Sequence, residues 1–260
     1  MKTTINSQLS TFTSHVAYRT SHAAPCASPA APRISRPAHR SAEVLPPRVA
    51  YELWADTYPA VAHNPLMRVE QEVVEPMLAK LRARRALDVG TGSGRYVPLL
   101  QSTGASVVLG LDFSLAMLTR GIGHRRICAD ACRLPFRRGA FDVINASLMV
   151  GDVADLGAFT REMARALAVG GHLVYSDFHP SWAERGWSRT FRDADGTLHE
   201  VSYHPHAIDD HLDAIEQAGL HVRAIREPRV TRSFDPGIRA FRRRWNNPQA
   251  VVVFHAVKEP

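Results

Sequence analysis

Apolar residues follow a helical spacing in some segments of the chain and form short continuous runs in others. Tyr51, Trp54 and Tyr58 share one face of a predicted helix from Val49 to Tyr58. A longer amphipathic helix is predicted from about residue 65 to residue 84. Apolar runs and helical segments then alternate: the predicted strands are 86–90, 106–112, 126–130, 141–146, 172–177, 221–225 and 250–257, and the predicted helices are 94–101, 115–120, 156–167 and 208–218.

This alternation predicts the fold class. Strands separated by helices imply right-handed crossover connections and therefore a mainly parallel sheet. The strands read as nearly continuous apolar runs, which is typical of a sheet covered by helices on both faces. We therefore predict an α/β fold for residues 47–260.

The first candidate for chemistry is the glycine loop Asp88-Val-Gly-Thr-Gly-Ser-Gly94, placed where a predicted strand turns into a helix. Glycines there allow a close approach of the backbone to a ligand, and the following helix presents free N–H groups. The spacing G-x-G-x-G differs from the dinucleotide fingerprint G-x-G-x-x-G, and no G-x-x-x-x-G-K-[ST] string occurs. A P-loop nucleoside triphosphatase and a nicotinamide oxidoreductase are therefore disfavoured.

Acidic residues end the next two predicted strands, at the edge of the sheet where open α/β folds bind ligands. Asp112 can accept hydrogen bonds from both hydroxyls of a ribose, and Asp130 can meet an adenine amino group. Phe113 and Met117 can pack on an adenine ring. A single aspartate is usually a helix cap or a surface charge, but this order behind a glycine loop indicates a nucleoside site.

With these motifs the chain resembles the class I S-adenosylmethionine-dependent methyltransferases, and it is similar to the ubiquinone, menaquinone and biotin-pathway enzymes of the small-molecule branch. The motifs are Leu87-Asp-Val-Gly-Thr-Gly-Ser-Gly94, Gly110-Leu-Asp-Phe-Ser-Leu-Ala-Met-Leu118, Ala129-Asp-Ala131 with Leu134-Pro-Phe136, Phe141-Asp-Val-Ile144 and Leu167-Ala-Val-Gly-Gly-His-Leu173. The resemblance implies a Rossmann-like, doubly wound, seven-stranded sheet that is mainly parallel, with an antiparallel last strand at 250–257. It also implies S-adenosyl-L-methionine as the cofactor.

The resemblance also implies roles for individual residues. The loop residues, which are Asp88, Gly90, Thr91 and Gly92, would lie against the methionine part of the cofactor. Asp112 would hold the ribose, and Asp130 with Ala131 would face the adenine. Ala146 would begin the segment near the sulfonium, and Tyr58 on the N-terminal helix would contact the cofactor.

The acceptor is expected to be a small molecule. Methyl transfer from a sulfonium is an in-line displacement in which alignment and exclusion of water matter most. Residues 145–149 lack the Asn/Asp-Pro-Pro-aromatic run of enzymes that methylate amino groups of DNA or of protein glutamine. Residues 179–205 are long for a connection, contain a hairpin signal at 193–196, and are interpreted as a lid or substrate wall.

Histidines around this insert are the candidate bases. His179 follows the fifth of these strands closely and is the leading candidate for the catalytic base, with His204 and His206 as second choices. The alternative is that all three are exposed loop residues. His199 and His211 extend the histidine set, but its spacing matches no metal motif, so we expect no metal.

Charge and composition change the picture mainly at the N-terminus. The chain has 260 residues and a formal charge of +7, but residues 1–42 contain five basic and no acidic residues, so the remainder is near neutral. We interpret residues 1–46 as a disordered basic tail. It is either a low-complexity extension, in which case we expect a cytoplasmic protein, or an organelle transit peptide. No apolar run is long enough to span a membrane, and three cysteines indicate a reducing compartment.

Three alternatives to a small-molecule methyltransferase stay open. The first is a scaffold that binds the cofactor without catalysis. The second is an RNA-directed methyltransferase, for which the basic run Arg239 to Trp245 would be the binding surface. The near-neutral body makes nucleic acid the less favoured partner, and the same arginines could bind an acidic small molecule. The third is the nicotinamide oxidoreductase, and the sequence does not indicate an oligomeric state.

Overall fold

The computed structural model describes residues 42–121, 125–230, 236–246 and 249–260. The strands in these ranges are β1 Glu43–Leu45, β2 Arg85–Val89, β3 Val107–Asp112, β4 Arg125–Cys128, β5 Phe141–Ser147, β6 Leu167–Phe178, β7 Arg189–Arg192, β8 Leu198–Val201, β9 His221–Arg226 and β10 Val251–Val257. The helices are α1 Pro47–Trp54, α2 Pro65–Leu78, α3 Val97–Ser102, α4 Leu115–Arg120, α5 Leu156–Ala166, α6 Ser181–Glu184, α7 Ile208–Gln217 and α8 Pro236–Trp245, with a 3-10 helix at Val150–Asp152.

Seven strands form the main sheet in the order β4-β3-β2-β5-β6-β10-β9. The strands from β4 to β6 pair in parallel, and β10 runs antiparallel to both of its neighbours, β6 and β9. One apolar cluster covers each face of the sheet. The predicted seven-stranded, mainly parallel fold with an antiparallel last strand is therefore confirmed.

Local sequence signals explain where several helices begin. The Asn64 side chain accepts a hydrogen bond from the backbone N–H of Met67 (2.9 Å) and caps α2. Ser114 caps α4 in the same way, through the N–H of Met117 (3.2 Å), as its sequence position predicts. The long helix predicted for residues 65–84 ends earlier, at Leu78, with Pro76 in its last turn.

A second, three-stranded sheet has the order β1-β8-β7. β7 and β8 pair antiparallel around the turn at 193–196, as the hairpin signal predicts. β1 adds in parallel to β8 and buries Leu45. The range 1–46 assigned to a disordered tail is therefore too long at its end, since backbone pairing orders residues 43–45. Residues 1–41 lie outside the described residues.

The described helices are all too short or too polar to cross a membrane.

Candidate functional site

A cavity of about 360 Å³ lies at the carboxyl ends of the central parallel strands. Gly90 follows β2, Asp112 ends β3 and Ser147 ends β5, so three adjacent strands bring their last residues to its wall. The side of α1 that carries Tyr51, and residues 187–190 of the insert, close the cavity from the other side. This is the edge of the sheet at which open α/β folds bind ligands.

The Asp88 side chain connects the glycine loop to the neighbouring strand through hydrogen bonds. Its carboxylate accepts hydrogen bonds from the Thr91 hydroxyl and from the Asn145 side-chain amide, both at 2.7 Å. Asp88 is buried. Asp88 and Thr91 line a smaller adjoining cavity of about 40 Å³, which shares Gly90 and Gly92 with the larger one. The loop therefore borders both cavities, and the two hydrogen bonds to Asp88 connect it to Asn145 on β5.

Two positions in the loop require glycine. Gly90 has φ +65°, and a Cβ there would lie 2.7 Å from Cβ and Cγ of Met149. Gly92 has φ +51°, and a Cβ there would lie 3.1 Å from Cε of Met117. Left-handed backbone is costly for residues with a side chain. The loop thus brings bare backbone to the wall of the cavity, which is the shape that a close-fitting cofactor needs.

Asp112 is the buried carboxylate of the cavity. Its Oδ2 accepts from the Gly92 N–H and its Oδ1 from the Ser114 N–H, both at 2.9 Å. Burial raises its pKa to about 6, although these two backbone donors act in the opposite direction. Each oxygen keeps a lone pair for another donor. The carboxylate is therefore fixed in place and can still accept hydrogen bonds from a ligand.

Aromatic side chains and one thioether lie next to this carboxylate. Phe113, directly after β3, and Met117 in α4 line the cavity. Tyr51, Trp54 and Tyr58 line it from the N-terminal side, and the Tyr51 ring meets the Phe113 ring edge-on at 6.0 Å between centroids. Burial raises the pKa of the Tyr58 phenol, so this group stays protonated near neutral pH. The surface suits a flat heterocycle.

A buried cluster of polar side chains, centred on Glu70 of α2, lies beside the cavity. Glu70 is fully buried and accepts from Arg95 (3.0 Å), from the Tyr96 hydroxyl (2.6 Å) and from the Ser176 hydroxyl (2.9 Å). Arg95 lines the cavity, and the Glu70 carboxylate balances its charge at close range. The cluster ties α2 to the main sheet.

An ion pair lies on the opposite side of the cavity. Arg189 from β7 binds the carboxylate of Asp152 from the 3-10 helix, and both side chains are more than nine-tenths buried. The Arg189 Nη1 also donates to the Tyr51 hydroxyl at 3.2 Å. Three segments far apart in sequence therefore meet at one guanidinium.

The structure brings six of the predicted cofactor residues to the larger cavity, which are Tyr58, Gly90, Gly92, Asp112, Phe113 and Met117. Asp130 is exposed and accepts from the Cys132 N–H at 2.7 Å, and neither Asp130 nor Ala131 is among the lining residues. Ala146 is buried in the core, whereas the next residues, Ser147 and Leu148, line the cavity. The contact of Asp130 with an adenine amino group stays a prediction.

His179 does not lie at the cavity. Its Nδ1 is 2.8 Å from the Ser181 hydroxyl and its Nε2 is 3.0 Å from Glu227, so both ring nitrogens have protein partners. Its position directly after β6 suggested a base, but its ring does not line the cavity. His206 bonds the Val153 carbonyl (2.8 Å), and His204 is likewise absent from the lining. None of these three histidines is therefore among the residues that line the cavity, and a catalytic role for His179 stays a prediction.

Sequence reasoning missed Asp152, Arg189, Arg95 and His63, all of which line the cavity. Arg189 lies in the insert that was interpreted as a substrate wall, so its position near the cavity could be predicted. Its ion pair with Asp152 could not. His63 precedes Asn64, the cap of α2, and burial lowers the pKa of its imidazole. The sequence feature nearest to His63 is the predicted start of a helix at residue 65, which places this histidine just before a helix N-terminus.

Comparisons with known proteins agree with this geometry. Residues 87–175 match the family model described as "Methyltransferase domain". The demethylmenaquinone methyltransferase of Mycolicibacterium gilvum is 40% identical over 98 residues, which are 37% of this chain and 42% of that protein. The aligned part thus spans about two fifths of that relative.

Solved structures match over more of the chain. An S-adenosylmethionine-dependent methyltransferase from Mesorhizobium loti has a TM-score of 0.58 and 25% identity, and the alignment covers 73% of this chain and 97% of that one. The geranyl diphosphate C-methyltransferase from Streptomyces coelicolor A3(2) has a TM-score of 0.51 and 19% identity, with coverage of 72% and 79%. At that identity the second match shows the fold alone.

Residues 87–175 thus match a methyltransferase domain, and in fold and glycine loop the chain is similar to the class I S-adenosylmethionine-dependent methyltransferases. Within that class, the domain is similar to the demethylmenaquinone methyltransferases. The class predicted from the sequence motifs is therefore confirmed.

Proposed function

We propose that this chain transfers the methyl group of S-adenosyl-L-methionine to a small-molecule acceptor by in-line displacement. The observation that carries the proposal is Asp112, a buried carboxylate fixed by two backbone N–H groups beside a loop that requires glycine at 90 and 92. When bound, the cofactor supplies an already activated methyl group, so the protein has no strong bond to polarise. Its tasks are to bind, to align and to exclude water.

The residues of the cavity divide these tasks. Asp112 would accept hydrogen bonds from the ribose hydroxyls, and Phe113 with Met117 would pack on the adenine. The bare backbone at Gly90 and Gly92 would lie along the methionine part, and Tyr58 would cover it. These roles rest on position in the cavity and on the family resemblance together.

The rest of the cavity would hold the acceptor. We call this part the acceptor half and define it by Phe178, Trp187, Arg189 and Phe241. Three of these four side chains are aromatic, which suits an acceptor with a flat ring. The relative from Mycolicibacterium gilvum is named for demethylmenaquinone, so a demethylated quinol is the first acceptor to test. The family match ends at residue 175, before the insert. The acceptor therefore cannot be taken over from the family and needs its own test.

The binding test is calorimetry with S-adenosylhomocysteine on the intact chain and on Asp112→Asn. We expect this substitution to weaken binding by about 1–3 kcal/mol, because it removes charge-assisted hydrogen bonds. Asp142→Asn is the matched control: Asp142 also accepts from two backbone N–H groups, those of Arg84 and Arg85, but at the opposite edge of the sheet. Equal losses in both variants, or binding of NAD without S-adenosylhomocysteine, would show that the cofactor is misassigned.

The turnover test is release of S-adenosylhomocysteine in the presence of reduced demethylmenaquinone and a panel of other small acceptors. Turnover with any of them supports an enzyme. Tight cofactor binding with no turnover across a broad panel favours the non-catalytic scaffold.

We also propose a cytoplasmic location. The two described cysteines, Cys128 and Cys132, are free thiols, which supports a reducing compartment. Fractionation of cells that express the tagged full chain tests this, and recovery in an organelle fraction would favour a transit peptide in residues 1–46.

A further inference from the structure

We propose that Asp152 is a specificity-determining residue, which cancels the charge of Arg189 and makes the acceptor half select uncharged aromatic acceptors over carboxylates. The proposal rests on the function proposed above and names the chemistry of its acceptor. It concerns two residues that the sequence did not single out and that the family match does not assign.

The pairing between the two side chains is close and shielded from water. Both terminal nitrogens of Arg189 face the Asp152 carboxylate, with Nη1 at 3.4 Å from Oδ2 and Nη2 in direct contact with Oδ1. The exposed fraction is 8% for the Arg189 side chain and 2% for that of Asp152. The guanidinium therefore already has a carboxylate partner before any substrate arrives.

A single donor of Arg189 is left over. Its Nε is buried and has no hydrogen-bond partner among the described residues. Nη1 and Nη2 also reach the Tyr51 hydroxyl (3.2 Å) and the Ser202 carbonyl (3.5 Å). Because a buried donor without a partner is costly, the Nε–H is the group that a carbonyl or amide oxygen of the acceptor would satisfy.

The surroundings would penalise a second anion. Carbon Cζ of Arg189 lies 5.7 Å from the Tyr51 ring centroid and 5.9 Å from that of Phe178, so the neighbourhood is largely apolar. An entering carboxylate would place two negative charges on one guanidinium in a region poor in water, where an excess charge is expensive. A neutral molecule meets no such cost and can stack on the same rings.

No other cation of the described lining is available to an anion. Arg95 is bound to the fully buried Glu70 at 3.0 Å. Burial lowers the pKa of His63, so its imidazole is neutral near pH 7. Asp112, the remaining charged group discussed at this cavity, is itself an acid. The described wall as a whole therefore favours neutral acceptors.

The test uses 2-naphthamide and 2-naphthoate, two flat bicyclic probes of nearly equal shape that differ in charge. Binding is followed by quenching of tryptophan fluorescence in the full chain saturated with S-adenosylhomocysteine, since Trp54 and Trp187 line the cavity. We expect the unaltered chain to bind the amide at least tenfold more tightly than the carboxylate. We expect Asp152→Asn to shift this ratio at least tenfold toward the carboxylate, because Arg189 then lacks its counter-charge.

Two further variants keep the result interpretable. Asp56→Asn is the matched control, because Asp56 is also an aspartate paired with an arginine, Arg120 at 3.4 Å, but its side chain is 73% exposed and outside the cavity. It should leave the ratio unchanged. Arg189→Gln combined with Asp152→Asn removes both charges, and it should restore the preference for the amide. If Asp152→Asn alone does not fold, Asp152→Ser takes its place, because it also removes the counter-charge and keeps Arg189, and it should likewise shift the ratio toward the carboxylate.

Each outcome supports or overturns the proposal. A preference of the unaltered chain for the carboxylate, binding of neither probe, or an unchanged ratio in folded Asp152→Asn overturns it. Binding of S-adenosylhomocysteine is measured first and separately. Loss at that step is a failure of the proposed function, whereas normal cofactor binding with the wrong probe preference is a failure of this inference alone.

Discussion

Cofactor binding should weaken as the pH falls through about 6, because Asp112 must be ionised to accept hydrogen bonds from two hydroxyls. Burial raises the pKa of this carboxyl to about 6 in the protein without ligand. Below that pH the carboxyl carries a proton, and binding must first remove it. By linkage, the apparent affinity equals that of the fully ionised protein divided by 1 + 10^(pKa − pH). Relative to high pH it therefore falls about twofold at pH 6 and about 11-fold at pH 5. The loss at pH 5 corresponds to about 1.4 kcal/mol.

The assay is calorimetry with S-adenosylhomocysteine between pH 5 and pH 8, with circular dichroism to show that the chain stays folded. Asp112→Asn should bind more weakly at every pH and should lose this pH dependence. An affinity that differs by less than twofold between pH 7.5 and pH 5 would refute the assignment of Asp112 as the ionised ligand of the ribose.

Stability has the opposite dependence on pH and cannot replace this assay. The folded pKa of Asp112 lies above its ordinary value of 3.8, so its contribution to stability is complete below about pH 4 and is lost as the pH rises through about 6. Burial also raises the pKa of Asp177, to about 7, so a second carboxyl acts in the same direction over an overlapping range. Ligand affinity leaves out Asp177, which does not line the cavity, and comparison with Asp112→Asn separates Asp112 from His63, which does.

Two further substitutions test the packing that shapes the site. Gly90→Ala should lower the free energy of unfolding by about 2–4 kcal/mol, since a left-handed φ and the contact with Met149 both oppose a Cβ; thermal melting measures this, and Gly170→Ala, which has φ +75° but open space around it, should lose only the smaller backbone part. Trp182→Ala should cost about 3–5 kcal/mol, because the ring is fully buried and its Nε1 donates to the Ala250 carbonyl at 2.8 Å; a loss below about 1 kcal/mol would contradict the packing seen around Trp182.

The main sheet could be predicted from the sequence because its central strands are buried on both faces. Such strands are continuous apolar runs, and β2, β3 and β5 fall close to the predicted ranges. β6 is longer than predicted: it starts at Leu167, which pairs with Phe141, and after a shift in register its regular pairing resumes at His172 opposite Val143. Glycine pairs usually indicate a helix end, and here the helix ends just before, at Ala166.

The small sheet was only half predictable. The hairpin of β7 and β8 is local, and its turn at 193–196 carries the usual residues. β1 is three residues long and pairs in parallel with β8, more than 150 residues later in the chain. Its sequence, Glu-Val-Leu, shows no alternation long enough to distinguish it from the end of a tail.

The cofactor side of the site was predictable for a similar reason. The proposed cofactor residues have fixed positions in a strand-turn-helix unit, so the motif and its spacing were enough to predict that Gly90, Gly92 and Asp112 lie together at one cavity. The acceptor side depends on contacts between distant segments: Arg189 lies 37 residues from Asp152 and 138 from Tyr51. Each of these residues alone fits an exposed charge or a packed ring, and only the fold turns them into one site.

The two sides also differ in how freely they can change. Asp112 and the glycine loop are bound to the backbone of the main sheet, through the N–H groups of Gly92 and Ser114 and through Asp88, so substitutions there disturb the fold as well as the ligand. Arg189 and Trp187 belong to the insert, beyond the region that matches the family model. If the acceptor binds as proposed, a change of acceptor requires new side chains in the insert and at Asp152, with the glycine loop left as it is. This separation explains why residues 87–175 carry the family match, whereas most of the side chains proposed to contact the acceptor lie outside that range.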